Sequence, residues 1–118
     1  MKTKLASLIL LFLITTSCVQ KTYKKTVVFR LNTTGINEVE KVGIRGNDKP
    51  LSWDYDTEMK VIKKDSIYEI ITTFETGYQF TEIKFVANDN FEFQKEDNRR
   101  IVFSKKDTTY FDAKFNKR

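Results

Sequence analysis

The chain has 118 residues, 21 of them basic and 16 acidic, for a net charge of +5, with no histidine and a single cysteine. Those counts exclude a Ser-His-Asp or Cys-His catalytic site, a zinc site built from His and Cys, and a disulfide within the chain. Beyond the first eighteen residues, about 100 remain, enough for one domain with its own core, and ten Phe, five Tyr and one Trp are available to fill it.

The N-terminal segment, 1–17, reads as an export signal. Lys2 and Lys4 give a positive start, 5–14 is almost unbroken apolar sequence, and Thr15-Thr16-Ser17-Cys18 closes it with small residues. The apolar stretch is too short to span a bilayer as a helix. This ending resembles a bacterial lipobox, in which the cysteine thiol is acylated and the cysteine becomes the new N-terminus. It departs from the family at Thr15, where Leu or Val is preferred. The resemblance implies lipidation at Cys18, a polar tether over 18–25, and a bacterial cell-envelope protein held to the membrane by its lipid. Val19-Gln20-Lys21 lacks the acidic run that sends some lipoproteins to the cell surface, so a periplasm-facing domain is expected. Without Lys2 and Lys4 the mature chain carries 19 basic and 16 acidic residues, a net +3. Lys21, Lys24 and Lys25 follow the anchor, where anionic headgroups would attract them. Elsewhere the charges alternate in sign, and nucleic acid, which calls for a concentrated basic stripe, is not an expected partner.

From residue 26 onward, β-rich runs alternate with turn clusters. Strands are predicted over 26–32, 39–45, 59–62, 67–74, 80–87, 91–94, 101–103 and 109–115. Gly, Asn and Asp punctuate them at Thr33-Thr34-Gly35, Thr76-Gly77, Asn88-Asp89-Asn90 and Asp97-Asn98. Val27, Phe29 and Leu31 fall on one face of the first run, and Thr81, Ile83, Phe85 and Ala87 on one face of another, while no apolar stripe of helical period appears outside the signal. Domain 26–118 is therefore expected to be all-β: an immunoglobulin-like antiparallel β-sandwich of seven to eight strands, with a closed barrel as the competing architecture.

Catalysis is not expected. No pair among the sixteen acids is singled out for acid–base work. Asp54, Asp56 and Glu58 begin like a calcium loop, but Met59 stands where that loop needs glycine and Asp65 where it needs glutamate. No glycine-rich phosphate loop is present, since Gly43 and Gly46 stand alone. The expectation is a binding domain with no catalytic residue, no metal and no cofactor.

Three segments suggest what is bound: Gly46-Asn47-Asp48-Lys49-Pro50-Leu51-Ser52-Trp53-Asp54, Phe80-Thr81-Glu82-Ile83-Lys84-Phe85-Val86, and Phe91-Glu92-Phe93-Gln94-Lys95-Glu96-Asp97-Asn98-Arg99. In this order and spacing they resemble the starch-binding domain of carbohydrate-binding module family 20 and its glycogen-binding relatives, with Asp65-Ser66-Ile67-Tyr68-Glu69 matching a core strand. The likeness spans 26–115. It implies a site for an α-1,4-glucan, with Trp53 as first stacking platform, Phe93 in place of the family's second tryptophan, and Lys84 and Asn98 as polar contacts. The tyrosines of the family's second sugar site have no counterpart, so one site at most is implied. Each of these residues also has a plainer reading: Trp53 as a plug under its loop, Lys84 as a solvated lysine, Phe91 and Phe93 as core on one strand face, Asn98 as a turn residue. The alternative function is an immunoglobulin-like lipoprotein domain that binds a protein partner.

Overall fold

A computed structural model describes residues 21–118; the signal segment, Cys18 and the start of the tether lie outside the described residues. The chain forms β1 (Tyr23–Asn32), β2 (Val42–Gly46), β3 (Thr57–Glu58), β4 (Lys60–Lys63), β5 (Ile67–Thr76), β6 (Phe80–Ala87), β7 (Asn90–Phe91), β8 (Arg99–Val102) and β9 (Thr108–Lys114). A four-stranded sheet runs β4-β5-β1-β9, and a five-stranded sheet runs β3-β2-β6-β7, with β8 also paired to β6. The domain is an all-β sandwich, as its alternation predicts.

The alternating residues of β1 turn Val27, Phe29 and Leu31 inward to full burial and leave Arg30 exposed. β2 and β6 do the same with Ile44, Ile83 and Phe85 from the opposite sheet. Apolar faces of the two sheets thus enclose one core, to which Leu51, Met59, Phe74, Ile101 and Phe103 also belong. Phe29 lies among three aromatic neighbours. Its ring meets Phe74, Phe85 and Phe111 edge-on at centroid separations of 6.4, 6.2 and 6.3 Å, the geometry that sets a positive ring edge against a negative face.

Three features depart from the expected layout. β9 pairs with β1 in parallel, so the sandwich is not wholly antiparallel. β3 was not predicted: two residues are too few to show a period. It lies just before Met59, which is 2% exposed and whose N–H donates to the Val42 carbonyl at 2.9 Å while the chain crosses from one sheet to the other. The predicted 91–94 strand stops at Phe91, with consequences for the site.

Gly46 closes β2 where no side chain fits. A Cβ there would stand 2.9 Å from Ile83 Cγ2 and 3.0 Å from both the Glu82 carbonyl oxygen and Leu51 Cδ1. Gly46→Ala is expected to lower the unfolding free energy by about 1–3 kcal/mol through overpacking, read as a lower urea midpoint at unchanged slope.

Candidate functional site

Burial of Ile44, Ile83 and Phe85 forces Arg45, Glu82 and Lys84 onto the outer face of the five-stranded sheet. Arg45 stands opposite Lys84, Gly43 opposite Val86, and Val86 opposite Phe91. A Cβ at Gly43 would lie 3.0 Å from Asp56 Cβ, so the missing side chain is what lets the 53–56 loop settle on this face.

Arg45 organises the surface. Its Nε donates to Asp56 Oδ1 at 2.6 Å and its Nη1 to the Trp53 carbonyl at 2.6 Å. The same guanidinium carbon lies 5.2 Å from the Phe91 ring centroid, within cation–π range. One side chain therefore joins the tryptophan loop to an aromatic ring on β7. Trp53 itself is half-buried, and its indole N–H donates to Asn47 Oδ1 at 2.7 Å, while the Asn47 N–H donates to the Glu82 carbonyl at 3.0 Å. A shallow hollow there is lined by Asn47, Lys49, Ser52, Trp53, Asp54 and Tyr55, with Tyr55 exposed.

Lys84 shares this face but is partly committed. Its ammonium donates to the carbonyls of Phe93 at 3.1 Å and Glu96 at 2.8 Å, which holds the 93–96 loop against β6. Asn98 is half-buried immediately before β8. The fourth expected contact is corrected: Phe93 is 6% exposed, and the guanidinium carbons of Arg99 and Arg118 lie 4.7 and 4.2 Å from its ring centroid. No face of that ring is open to a sugar. The strand period ends at Phe91, and Phe93 takes a left-handed backbone with φ 47°, its N–H donating to Asn116 Oδ1 at 2.8 Å. The aromatic ring that this segment does expose is Phe91, at 37%.

Between them, Glu92 turns into the core. It is fully buried and forms a two-pronged pair with Arg99, Nε to Oε2 and Nη2 to Oε1, each at 2.8 Å. Glu92 also accepts the Phe85 N–H at 2.9 Å, and Arg99 Nη2 donates to the carbonyls of Lys114 and Lys117, both at 2.9 Å. The pair thus ties β6, β8 and the C-terminal turn together beneath Phe91. Sequence reasoning missed it; the available signal was an acid set between two phenylalanines with arginine seven residues on. Further along the sheet the exposed pair Lys41–Asp89, at 2.7 Å, raises the Lys41 pKa, first through the hydrogen bond and then through the carboxylate's charge.

Among the described residues no group of three or more His, Cys, Asp or Glu is placed to hold a metal ion, and no helix is long and apolar enough to cross a membrane. Searched against models of known protein families, the chain matches none, and no curated protein matches it significantly.

Proposed function

We propose that the chain is a lipid-anchored, non-catalytic binding module for α-1,4-linked glucose chains, with Trp53 and Phe91 as its stacking surfaces. The observation that carries this reading is the Arg45 bridge, which brings the Trp53 loop and the exposed Phe91 ring to one outer face. A pyranose ring has an apolar C–H face and a rim of hydroxyls. The aromatic surfaces bury the first, and the polar groups beside them satisfy the second. Lys84 keeps one of its three N–H donors after serving two carbonyls. Asn98 is a further candidate for the rim. Phe93 contributes through its carbonyl, which positions Lys84, and not through its ring.

Burying about 100 Å² of apolar surface on each platform is worth roughly 2.5 kcal/mol. After the cost of association, two such platforms give an affinity of about millimolar to micromolar. Many copies on one membrane would bind a polymer far more tightly than one.

Affinity electrophoresis of residues 19–118 through gels containing amylopectin or glycogen tests the reading. The wild-type protein is expected to be retarded and Trp53→Ala to migrate as in a plain gel, with its urea midpoint little changed. Phe91→Ala should weaken retention roughly tenfold or more, in keeping with the loss of one platform. Absence of retardation for the folded wild type would sink the glucan assignment.

A further inference from the structure

The outer face of the four-stranded sheet, on the far side of the sandwich from the Arg45 surface, has a second pattern. Strand register arranges its side chains in rows across the strands. One row is Glu75 on β5 beside Lys24 on β1. The next is Thr73, Thr26 and Thr108, with the Thr26 and Thr73 hydroxyls 3.0 Å apart. Then comes an apolar row, Ile71, Val28 and Tyr110, in which Ile71 is 64% and Tyr110 77% exposed. Below it lies a charged row across all four strands: Lys60, Glu69, Arg30 and Asp112, in alternating sign. Arg30 and Glu69 are paired at 2.8 Å, which raises the Arg30 pKa, chiefly through the hydrogen bond.

This face is complementary to itself. Consider a two-fold axis parallel to the strands and running between β5 and β1. It exchanges β5 of one copy with β1 of the other, and β4 with β9. Lys60 then faces Asp112, and Glu69 faces Arg30. Glu75 faces Lys24, Ile71 faces Val28, and Thr73 faces Thr26. Each charge in these rows meets its opposite and the central apolar side chains meet one another. Two positions fall outside this match. Lys63 beside Ile67 would approach Lys114 beside Asn32 at the rim, where water screens them, and Tyr110 and Thr108 have no β4 residue opposite, since β4 begins at Lys60 beside Glu69.

We propose that this face pairs with a second copy of the chain, giving a face-to-face dimer about a two-fold axis along the strands. The charge row argues for this occupant by complementarity. Cross-strand pairing within the sheet, as in Arg30–Glu69, sets the alternating signs. Over four strands that alternation presents a second copy about this axis with the opposite charge at each position of the row. Such isologous contacts are the commonest kind in homo-oligomers. The axis also keeps both β1 strands running the same way, so both Tyr23 ends leave at one edge, as two chains anchored in one membrane require. Strand spacing and rise put the face at roughly 500 Å² per copy, below the ~800 Å² of a stable interface. The pairing is therefore weak in dilute solution, and in this respect it rests on the lipid anchoring proposed above, which would crowd the copies in one membrane. It leaves both five-stranded sheets, with Trp53 and Phe91, facing outward, and it does not depend on what they bind.

Carbodiimide cross-linking of the full-length chain in the bacterial envelope tests the dimer, because this reagent joins an amine to a carboxylate only where the two touch. Within one chain Lys60 and Asp112 stand on opposite edge strands, about 14 Å apart across three strand spacings, so a Lys60–Asp112 link must join two copies. A dimer band whose joined peptides contain Lys60 and Asp112 is expected for the wild type. Lys60→Glu alone and Asp112→Lys alone should each weaken the band at least tenfold. Co-expressing the two variants should restore it to within about twofold, because each then offers the other an opposite charge. Ile71→Lys, which puts a charge into the apolar row, should also weaken the wild-type band at least tenfold. Absence of the wild-type band, a band that maps to other residues, or failure of the mixed pair to recover would each overturn the proposal.

Discussion

Glu92→Ala is expected to lower the unfolding free energy by about 3–5 kcal/mol, the loss that follows when one partner of a buried ion pair is removed. Arg99 would stay in place, 8% exposed, with its carboxylate gone and with Phe85 and Phe93 rings beside its guanidinium carbon at 5.6 and 4.7 Å. The damage extends beyond the pair. The Phe85 N–H loses its acceptor in mid-strand, and Asn116 N–H, which approaches Glu92 Oε1 at 3.4 Å, loses another. A domain of this size has only about 5–15 kcal/mol of stability in total, so the variant should lose a large share of it, read as a lower urea midpoint and a lower melting temperature. The double variant Glu92→Leu with Arg99→Met is expected to recover part of the loss, because no charge is left stranded. It cannot recover all of it, since the Phe85 N–H and the Lys114 and Lys117 carbonyls still lack partners. A loss below about 1 kcal/mol for Glu92→Ala would mean the pair does not hold the C-terminal turn to the sandwich.

This pair also shows where sequence reading stops. Period-two alternation revealed the long strands, because the buried residues that alternate along β1 (Val27, Phe29, Leu31), β5 (Tyr68, Thr72, Phe74) and β6 (Thr81, Ile83, Phe85) are apolar or small and the residues on the other face are mostly polar. The same rule applied to 91–94 placed Phe91 and Phe93 on one face. The strand ends after two residues, a left-handed turn follows at Phe93, and the chain buries Glu92 instead. A buried carboxylate is so costly unpaired that alternation alone gave no reason to place it inside; its partner, Arg99, is seven residues away and on another strand. Trp53 and Lys84 were legible as members of one surface, but Arg45, which links Trp53 to Phe91, was not. Its role depends on the approach of the 53–56 loop to Gly43, a long-range contact with no local signature. The alternating charge row on the other sheet is hidden for a similar reason. Lys60 and Glu69 meet across the β4–β5 hairpin, but Arg30 and Asp112 come from distant segments and join the row only once β1 pairs with β5 and β9 adds to β1 in parallel.

Phe29→Ala should rival the ion-pair variant in effect, with an expected loss of about 3–5 kcal/mol. The ring is fully buried on β1, the strand between β5 and β9. Phe74 and Phe111 approach it from those two neighbours and Phe85 from the opposing sheet, at interplanar angles of 85, 69 and 79°. Truncation removes contacts to both layers at once, and three rings held by separate strands cannot close together to fill the space, so a cavity term adds to the lost transfer energy. Phe29→Leu keeps most of the volume and should cost about 1.5 kcal/mol or less. Near-ultraviolet circular dichroism would report the loss of fixed aromatic packing, and urea unfolding its free energy. The comparison with Trp53→Ala separates fold from site. Phe29→Ala should lose glucan retention only as far as the population unfolds, whereas Trp53→Ala should lose it with the urea midpoint nearly intact. Were both variants to lose retention and stability in parallel, Trp53 would be a core plug and the glucan site would have to lie elsewhere.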